Sequence, residues 1–183
     1  WLQGNAGVLS WKLDGLTIVL TYRDGKLAKA VTRGNGEVGE VITGNARTFV
    51  NLPLNIGFQG ELVLRGEAVI SYQDFEEINS RIQEADARYK NPRNLCSGSV
   101  RQLNSEITAQ RRVRFVAFNL VRAEGADFGN SREAQFAFLE EQSKQAAQAQ
   151  QQLQEQLEGA NRQAETLRQE GEELRRRLEE AQR

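Results

Sequence analysis

The amino-acid sequence predicts an α+β fold, in which a mostly antiparallel sheet with a few outer helices is followed by one long C-terminal helix. Two observations indicate the sheet: short runs rich in Val, Ile, Leu and Thr, and the Asp-Gly dipeptides that separate them. A third observation indicates the helix, because residues 140–183 consist almost entirely of Gln, Glu, Arg, Ala and Leu, without proline. We therefore expect a sheet-containing domain at 1–142 and a helical segment at 143–183.

The first part of the chain is predicted to be a meander of strands. Asp14-Gly15 and Asp24-Gly25 are turn dipeptides between apolar or alternating runs, as in β-hairpins. They predict strands at 8–13, 16–20 and 27–31. The glycine-dense segment 34–40 follows, where glycine would let the backbone approach a ligand, although a flexible loop explains the same composition.

A short helix at 41–49 and a strand at 60–70 are predicted next. In this strand apolar residues alternate with polar ones, so Arg65 and Glu67 share one face. The two side chains have two interpretations of equal weight. They are either a cross-strand ion pair on a solvated face or the polar wall of a pocket.

Residues 71–88 are predicted to form a helix that Ser71 caps, because Phe75, Ile78 and Ile82 repeat at helical spacing. Pro92 would end this helix, since a proline disfavours helical geometry in the residue before it. A small-residue segment and a strand at 113–121 follow. In that strand Phe115, Ala117 and Asn119 lie on one face.

The last helix is predicted to begin after Asn130-Ser131 and to continue through the C-terminal segment. Small and apolar residues there repeat at alternating spacings of four and three, which is an a/d heptad pattern. These residues are Leu153, Leu157, Ala160, Ala164, Leu167, Gly171, Leu174, Leu178 and Ala181. A coiled coil and an exposed single helix with i,i+4 charge pairs both fit this pattern.

The composition of the chain excludes several classes of binding site and function. The net charge of -1 excludes a global basic field that would drive the chain onto nucleic acid. Cys96 is the only cysteine, which excludes an internal disulfide or a four-cysteine zinc site and fits the cytoplasm. We interpret it as a packing residue. No apolar run approaches the ~20 residues that span a bilayer. The absence of methionine, even at position 1, suggests part of a longer product.

Lys12 is the candidate catalytic residue. It lies between apolar residues, two positions before Asp14-Gly15, so we expect it at a strand end that points into a half-buried site. Burial disfavours the charged ammonium, which would make some neutral, nucleophilic amine available. Lysines beside Asp-Gly turns are also common without any catalytic role.

A second candidate is a group of arginines that lie close in sequence. They would be the only phosphate-contacting patch, although a solvated face explains them almost as well. These residues are Arg93, Arg101, Arg111, Arg112 and Arg114.

Four blocks together resemble the adenylation (nucleotidyltransferase) domain of bacterial NAD-dependent DNA ligases of clostridial type. The blocks are W-K-L-D-G-L-T-I, T-R-G-N-G-E-V-G-E, L-R-G-E and N-P-R-N-L-C-S-G-S-V-R-Q-L, within residues 8–142. ATP-dependent ligases and RNA-capping enzymes share K-x-D-G, but the T-R-G-N-G and N-P-R-N blocks resemble the NAD-dependent group. The resemblance implies an antiparallel-sheet nucleotidyltransferase (ATP-grasp-like) fold, here as a partial domain.

The resemblance also implies a reaction. Lys12 matches the lysine that takes AMP from NAD, and the AMP then passes to the 5′-phosphate of nicked DNA during replication and repair. Arg33 and Glu67 match residues that bind the nucleotide. Mg²⁺ is expected as a cofactor, although no metal ligand set can be read from the sequence.

Three departures from the family pattern bear on activity. Ser10 stands where the family usually has a glutamate, and Asn35 stands where it has an aspartate. The later lysine-bearing motifs and the other domains of the ligase are not in these 183 residues, and the tail looks unrelated to the family. We therefore expect no nick sealing and little or no self-adenylation by the chain alone. The alternative is a non-catalytic binding or scaffold protein, a degenerate nucleotidyltransferase fold that self-associates through residues 143–183.

Overall fold

A computed structural model describes Gly4, Gly7 and residues 9–34, 38–84 and 87–181 of the chain. The elements are β1 (Leu16–Arg23), β2 (Lys26–Thr32), α1 (Thr43–Ala46), β3 (Glu61–Val69), α2 (Tyr72–Ser80), α3 (Pro92–Val100), α4 (Ser105–Gln110), β4 (Arg114–Ala123) and α5 (Arg132–Ala181). The chain divides into two compact units, Trp1–Ser143 and Lys144–Arg183. The predicted α+β class is confirmed.

The four strands form one antiparallel sheet in the order β2-β1-β3-β4. Strands β1 and β2 are joined by the predicted Asp24-Gly25 turn. Both residues have positive φ angles, 47° and 77°, which the tight hairpin turns of this kind require. Strand β3 then pairs with the other edge of β1, so β1 and β3 are the central strands.

The two faces of the sheet differ because side chains alternate along each strand. One face is the core, where Ile18, Leu20 and Tyr22 of β1 meet alternate residues of β3 and buried side chains of α3. The opposite face carries Thr17 and Val19 of β1, together with Arg65 and Glu67 of β3. Polar side chains of the two central strands therefore collect on a face that the core does not occupy.

Two predicted ranges are wrong, that of the strand at 8–13 and that of the helix at 71–88. Residues 9–14 belong to no strand, and Val8 lies outside the described residues. Helix α2 has the predicted cap, since Ser71 Oγ accepts a hydrogen bond from the Asp74 backbone N–H, but it ends at Ser80 rather than at 88. The chain turns back there because the Asn79 side chain binds both the backbone N–H and the C=O of Tyr89, each at 2.9 Å.

The proline at position 92 has a different role from the one predicted. Pro92 begins α3, because Asn91 Oδ1 accepts a hydrogen bond from the Asn94 N–H at 2.8 Å and caps the helix. A proline fits this first position because its missing N–H would have had no partner within the helix. Helix α4 was not among the helices predicted from the sequence. It is a single short segment capped by Asn104.

Helix α5 is 50 residues long and begins where the sequence predicted. Ser131 Oγ accepts a hydrogen bond from the Ala134 N–H at 3.2 Å, which caps its first turn. Within the described residues, none of the helices combines the length and the apolar character needed to cross a membrane.

Candidate active site

The site begins with a pair of side chains on the two central strands. Thr17 and Glu67 lie directly opposite each other in the register of β1 and β3. Thr17 Oγ1 donates a hydrogen bond to Glu67 Oε2 at 2.9 Å, and both side chains are half-buried. Glu67 is therefore held in a fixed orientation on the open face of the sheet. Of the two interpretations of Glu67, this contact supports the polar wall of a pocket.

Lys12 lies just before β1 in the irregular segment 9–14 and is exposed. The expected half-burial is therefore wrong. The physical reason is that Asp14-Gly15 forms no hairpin turn, so the described residues that precede it supply no strand to cover the lysine.

Gly15 instead fixes the position of this segment by close contact. It is buried against the end of β3, where a Cβ atom would lie 2.1 Å from the Ala68 backbone oxygen and 2.9 Å from Val69 Cγ1. Only a residue without a side chain permits this approach. The glycine of the K-x-D-G block thus anchors the lysine segment to the strand that carries Glu67.

Lys12 and Glu67 line the same cleft, whose volume is about 960 Å³. The described residues that line it are Leu9, Ser10, Trp11, Lys12, Leu13, Asp14, Thr17, Glu67, Arg93, Val116, Ala117, Phe118, Arg132 and Phe136. Among these, three side chains are cationic and two are carboxylates. The cleft thus brings an amine, two guanidinium groups and two carboxylates into one space.

Arg93 connects two sequence blocks that are far apart in the chain. It lies in the first turn of α3, and its Nη1 contacts Asp14 Oδ1 at 3.1 Å. The N-P-R-N block is thereby brought to the K-x-D-G block. Of the five arginines proposed as a phosphate patch, Arg93 is the one among the described lining residues of the cleft.

Three of the other four arginines in that group have partners elsewhere in the fold. Arg101 pairs with Glu40, and Arg112 pairs with Asp74 and Glu77. The guanidinium of Arg111 lies over the Tyr89 ring, 5.9 Å from its centroid. These contacts hold elements of the fold together, so they favour a structural interpretation for these three residues.

Arg33 is not among the described residues that line the cleft, in contrast to Lys12 and Glu67. It follows β2, and its backbone N–H donates to the Thr17 backbone oxygen at 3.0 Å. Its side chain is exposed. Asn35, the departure in the same block, lies outside the described residues.

Cys96 is inert, as the sequence analysis suggested. It is fully buried in α3, and this burial raises the pKa of its thiol to about 12, with a smaller contribution from the negative charge of Glu67. A thiol with so high a pKa is hardly ever a thiolate at neutral pH, so its burial and protonation favour the interpretation of Cys96 as a packing residue.

Sequence reasoning missed several residues of the cleft. Thr17 belongs to the first block but received no role, although its position two residues from Gly15 on an alternating strand places it on the face of Glu67. Arg132 and Phe136 come from the first turns of α5, and Arg132 Nη1 contacts Asn119 Oδ1 of β4 at 2.5 Å. Nothing in the sequence signals that α5 returns to the sheet at this point.

A metal site built by the protein alone is not found in the described part of the chain. No group of three or more Asp, Glu, Cys or His side chains there could hold an ion. The cleft offers Asp14, which Arg93 engages, and Glu67, which Thr17 engages. This donor set fits an ion such as Mg²⁺ that is held mainly by phosphates and water.

In the first unit a lysine, two carboxylates and two arginines line one cleft beside an antiparallel sheet, an arrangement that suits a protein that handles a phosphorylated ligand. The family model of the NAD-dependent DNA ligase adenylation domain matches residues 3–179, and the chain belongs to this family. The match extends across most of the C-terminal helix. That the helix is unrelated to the family stays a prediction.

Relatives named DNA ligase are similar to a large part of the chain. The chain is 64% identical over 141 residues to one from Lachnoclostridium phytofermentans and 60% identical over 142 residues to one from Ruminiclostridium cellulolyticum. These matches cover 77% and 78% of this chain, and 22% of each relative. A DNA ligase of Helicobacter pylori is 46% identical over 114 residues, 62% of this chain and 17% of the relative. The chain thus spans about a fifth of the length of the curated relatives it matches.

Proposed function

We propose that the first unit performs lysine adenylation with NAD as the adenylyl donor, and that Lys12 is the nucleophile. Glu67 would accept hydrogen bonds from the nucleotide, and Arg33 would contact it from the neighbouring β2 end. The observation that carries this proposal is that Lys12, Glu67 and Arg93 share one cleft although they lie far apart in sequence.

The chemistry follows from the groups in the cleft. The neutral amine of Lys12 would attack the adenylyl phosphorus of NAD, form a P–N bond and release nicotinamide mononucleotide. The phosphoramidate keeps the AMP group activated, which divides one difficult displacement into two easier ones. Negative charge on the phosphate oxygens during the transfer would be stabilised by Arg93 and Arg132, which line the same space.

Two polar contacts would orient the site. Thr17 holds the Glu67 carboxylate through a hydrogen bond of 2.9 Å and leaves its other oxygen available for a ribose hydroxyl. Asp14 pairs with Arg93 and would keep its guanidinium at the wall of the cleft. Mg²⁺, when bound with the nucleotide, would neutralise phosphate charge, and Glu67 is the carboxylate in the cleft that no cation engages among the described residues.

The longer protein represented by the relatives would use this unit to seal nicked DNA in replication and repair, in the cytoplasm. For the 183-residue chain alone we propose weak self-adenylation and no sealing. Lys12 is exposed rather than half-buried, and Arg33 lies outside the described wall of the cleft.

Mass spectrometry after incubation with NAD and Mg²⁺ tests this proposal. We expect an AMP adduct at low yield on the peptide that contains Lys12. Lys12→Ala should abolish it, and Lys29→Ala, which removes an exposed lysine of β2, should leave it unchanged. An adduct on another lysine would contradict the site, a high yield would contradict the weak activity, and no adduct at any NAD concentration would remove the enzymatic function from this chain.

A second function, self-association through residues 143–183, is favoured by one observation. Five leucines of α5 at heptad positions are between 61% and 68% exposed: Leu153, Leu157, Leu167, Leu174 and Leu178. An apolar seam of this length on a polar helix is typical of a surface that packs against another helix. Sedimentation across the micromolar range measures this association, and strict monomers would contradict it.

A further inference from the structure

The order of large and small residues along the apolar seam of α5 bears on how a second helix can pack against it. In the heptad register the a positions are Leu157, Ala164, Gly171 and Leu178, and the d positions are Leu153, Ala160, Leu167, Leu174 and Ala181. Large and small residues thus both occur at a and at d. All of these residues lie in one continuous helix, and the leucines among them are exposed.

A parallel, in-register pair would match each residue with its own copy, because a faces a′ and d faces d′. Leu157, Leu167, Leu174 and Leu178 would then form wide layers. Ala160 and Ala164 would face their own copies, and Gly171 would face glycine. Since the leucine layers set the distance between the helices, the small layers would leave voids, which packed interiors avoid.

An antiparallel pair matches a with d′ instead, and here the residues are complementary. When two copies run in opposite directions with their two-fold axis at the level of Gln169, every layer from 157 to 181 joins one leucine to one small residue. The layers are Leu157 with Ala181, Leu178 with Ala160, Leu174 with Ala164, and Leu167 with Gly171. Each layer would occur twice in the dimer, and the helix spacing would be uniform from 157 to 181.

We propose that two copies of this chain associate through α5 as an antiparallel two-helix coiled coil centred on Gln169. The inference rests on the proposed self-association and deepens it by fixing the orientation and the register. The recognition element is the alternation of leucine with alanine or glycine, which is self-complementary only when one copy is reversed.

The charged residues beside the seam favour a parallel pair, but their contribution is smaller than that of the apolar packing. A parallel pair would bring Glu170 at g near Arg175 at e′, whereas the antiparallel pair brings Glu170 near its own copy and Arg168 near its own copy. Arg168 is already engaged within its helix by Glu165 at 3.1 Å and Glu172 at 3.9 Å. Exposed ion pairs contribute little compared with filled apolar layers, so packing decides the orientation.

Disulfide trapping of the full-length chain tests the orientation. Ala160→Cys and Leu178→Cys are made as separate variants and mixed in a glutathione redox buffer, and the products are identified by mass. We expect the mixed disulfide between the two variants. Neither variant alone should cross-link, because like positions would lie 18 residues apart along the dimer, about 27 Å, and a disulfide needs Cα atoms within about 7 Å. The wild-type chain, whose only cysteine is buried, is the control.

The outcomes separate this inference from the proposal on which it rests. Homodimeric disulfides from each variant alone would show a parallel pair and overturn the orientation while self-association stands. Monomers in sedimentation without any cross-link would overturn both.

A charge variant tests the same point without cysteines. Glu170→Gln should tighten the dimer about two-fold if the copies are antiparallel, because it removes a repulsion between like charges. It should weaken a parallel dimer, because it removes an attraction to Arg175. Weakening would therefore overturn the antiparallel orientation, and Glu180→Gln, at an exposed position of the same helix away from the seam, serves as the matched control.

Discussion

The two units of this chain are stabilised in opposite ways. In the first unit the contacts join residues far apart in sequence: Asn45 Nδ2 donates to the Val100 backbone oxygen at 2.6 Å, and Asn51 Nδ2 donates to that of Phe115 at 2.8 Å. In the second unit, ion pairs of the described helix join neighbours three or four residues apart, such as Arg168 with Glu165 and Arg177 with Glu173. The same substitution should therefore have a different effect in each unit, and three matched pairs of substitutions measure that difference.

The largest difference is expected for leucine to alanine. Leu62 is 1% exposed in the centre of the sheet, so Leu62→Ala removes packed methyl groups, leaves a cavity and should lower the free energy of unfolding by about 2–5 kcal/mol. Leu167 is 63% exposed, and Leu167→Ala should change the stability of the first unit by less than about 0.5 kcal/mol. The labelling rate of the buried Cys96 thiol in increasing denaturant reports the opening of the first unit. Equal effects of the two variants would contradict the comparison.

Glycine to alanine should act with opposite sign in the two units. At Gly15 the new Cβ would lie 2.1 Å from the Ala68 backbone oxygen, so Gly15→Ala should destabilise the first unit by about 1–3 kcal/mol and displace the Lys12 segment. At Gly171 a Cβ would meet nothing within 4 Å, so Gly171→Ala should stabilise the helix by about 1 kcal/mol. Thiol labelling measures the first effect, and the helical melt by circular dichroism at low concentration measures the second.

The smallest difference concerns a charge pair and depends on pH. Hydrogen bonds from the Ser71 hydroxyl and the Arg112 guanidinium lower the pKa of the Asp74 carboxyl. The stabilisation from this ionised group is therefore complete at neutral pH, above the ordinary pKa, and is lost as the pH falls through the lower pKa of the folded state. Asp74→Asn should cost about 1 kcal/mol at pH 7, and its difference from the wild type should shrink below about pH 4.

The matched change in the helix is Glu173→Gln, which removes the i,i+4 contact with Arg177. Its effect should be a few tenths of a kcal/mol, because both side chains are exposed to water. Denaturation of both variants from pH 7 to pH 2 compares the pairs. An Asp74→Asn variant whose deficit grows in acid would have the wrong sign and would refute the assignment of the lowered pKa.

Much of the local structure followed from neighbouring residues. The Asp24-Gly25 hairpin, the Ser71 cap, the alternation of β3 and the start of α5 at Ser131 were all predicted correctly, because each depends on a few adjacent positions. The wrong predictions arose where the local structure depends on residues that are distant in sequence. Asp14-Gly15 looks like the other Asp-Gly turn, but Gly15 is required by the backbone of β3, which arrives more than fifty residues later in the chain.

Local patterns of residues were sufficient to predict the α+β class, the long helix and the family, because propensity, periodicity and motif spacing are properties of short stretches of the chain. Long-range contacts of the folded chain bring Thr17 to Glu67 and Arg93 to Asp14, and they leave Lys12 exposed among the residues that line the same cleft. The two contacts join residues 50 and 79 positions apart. The register of the sheet and the docking of α3 create them, and no short stretch of sequence carries that information.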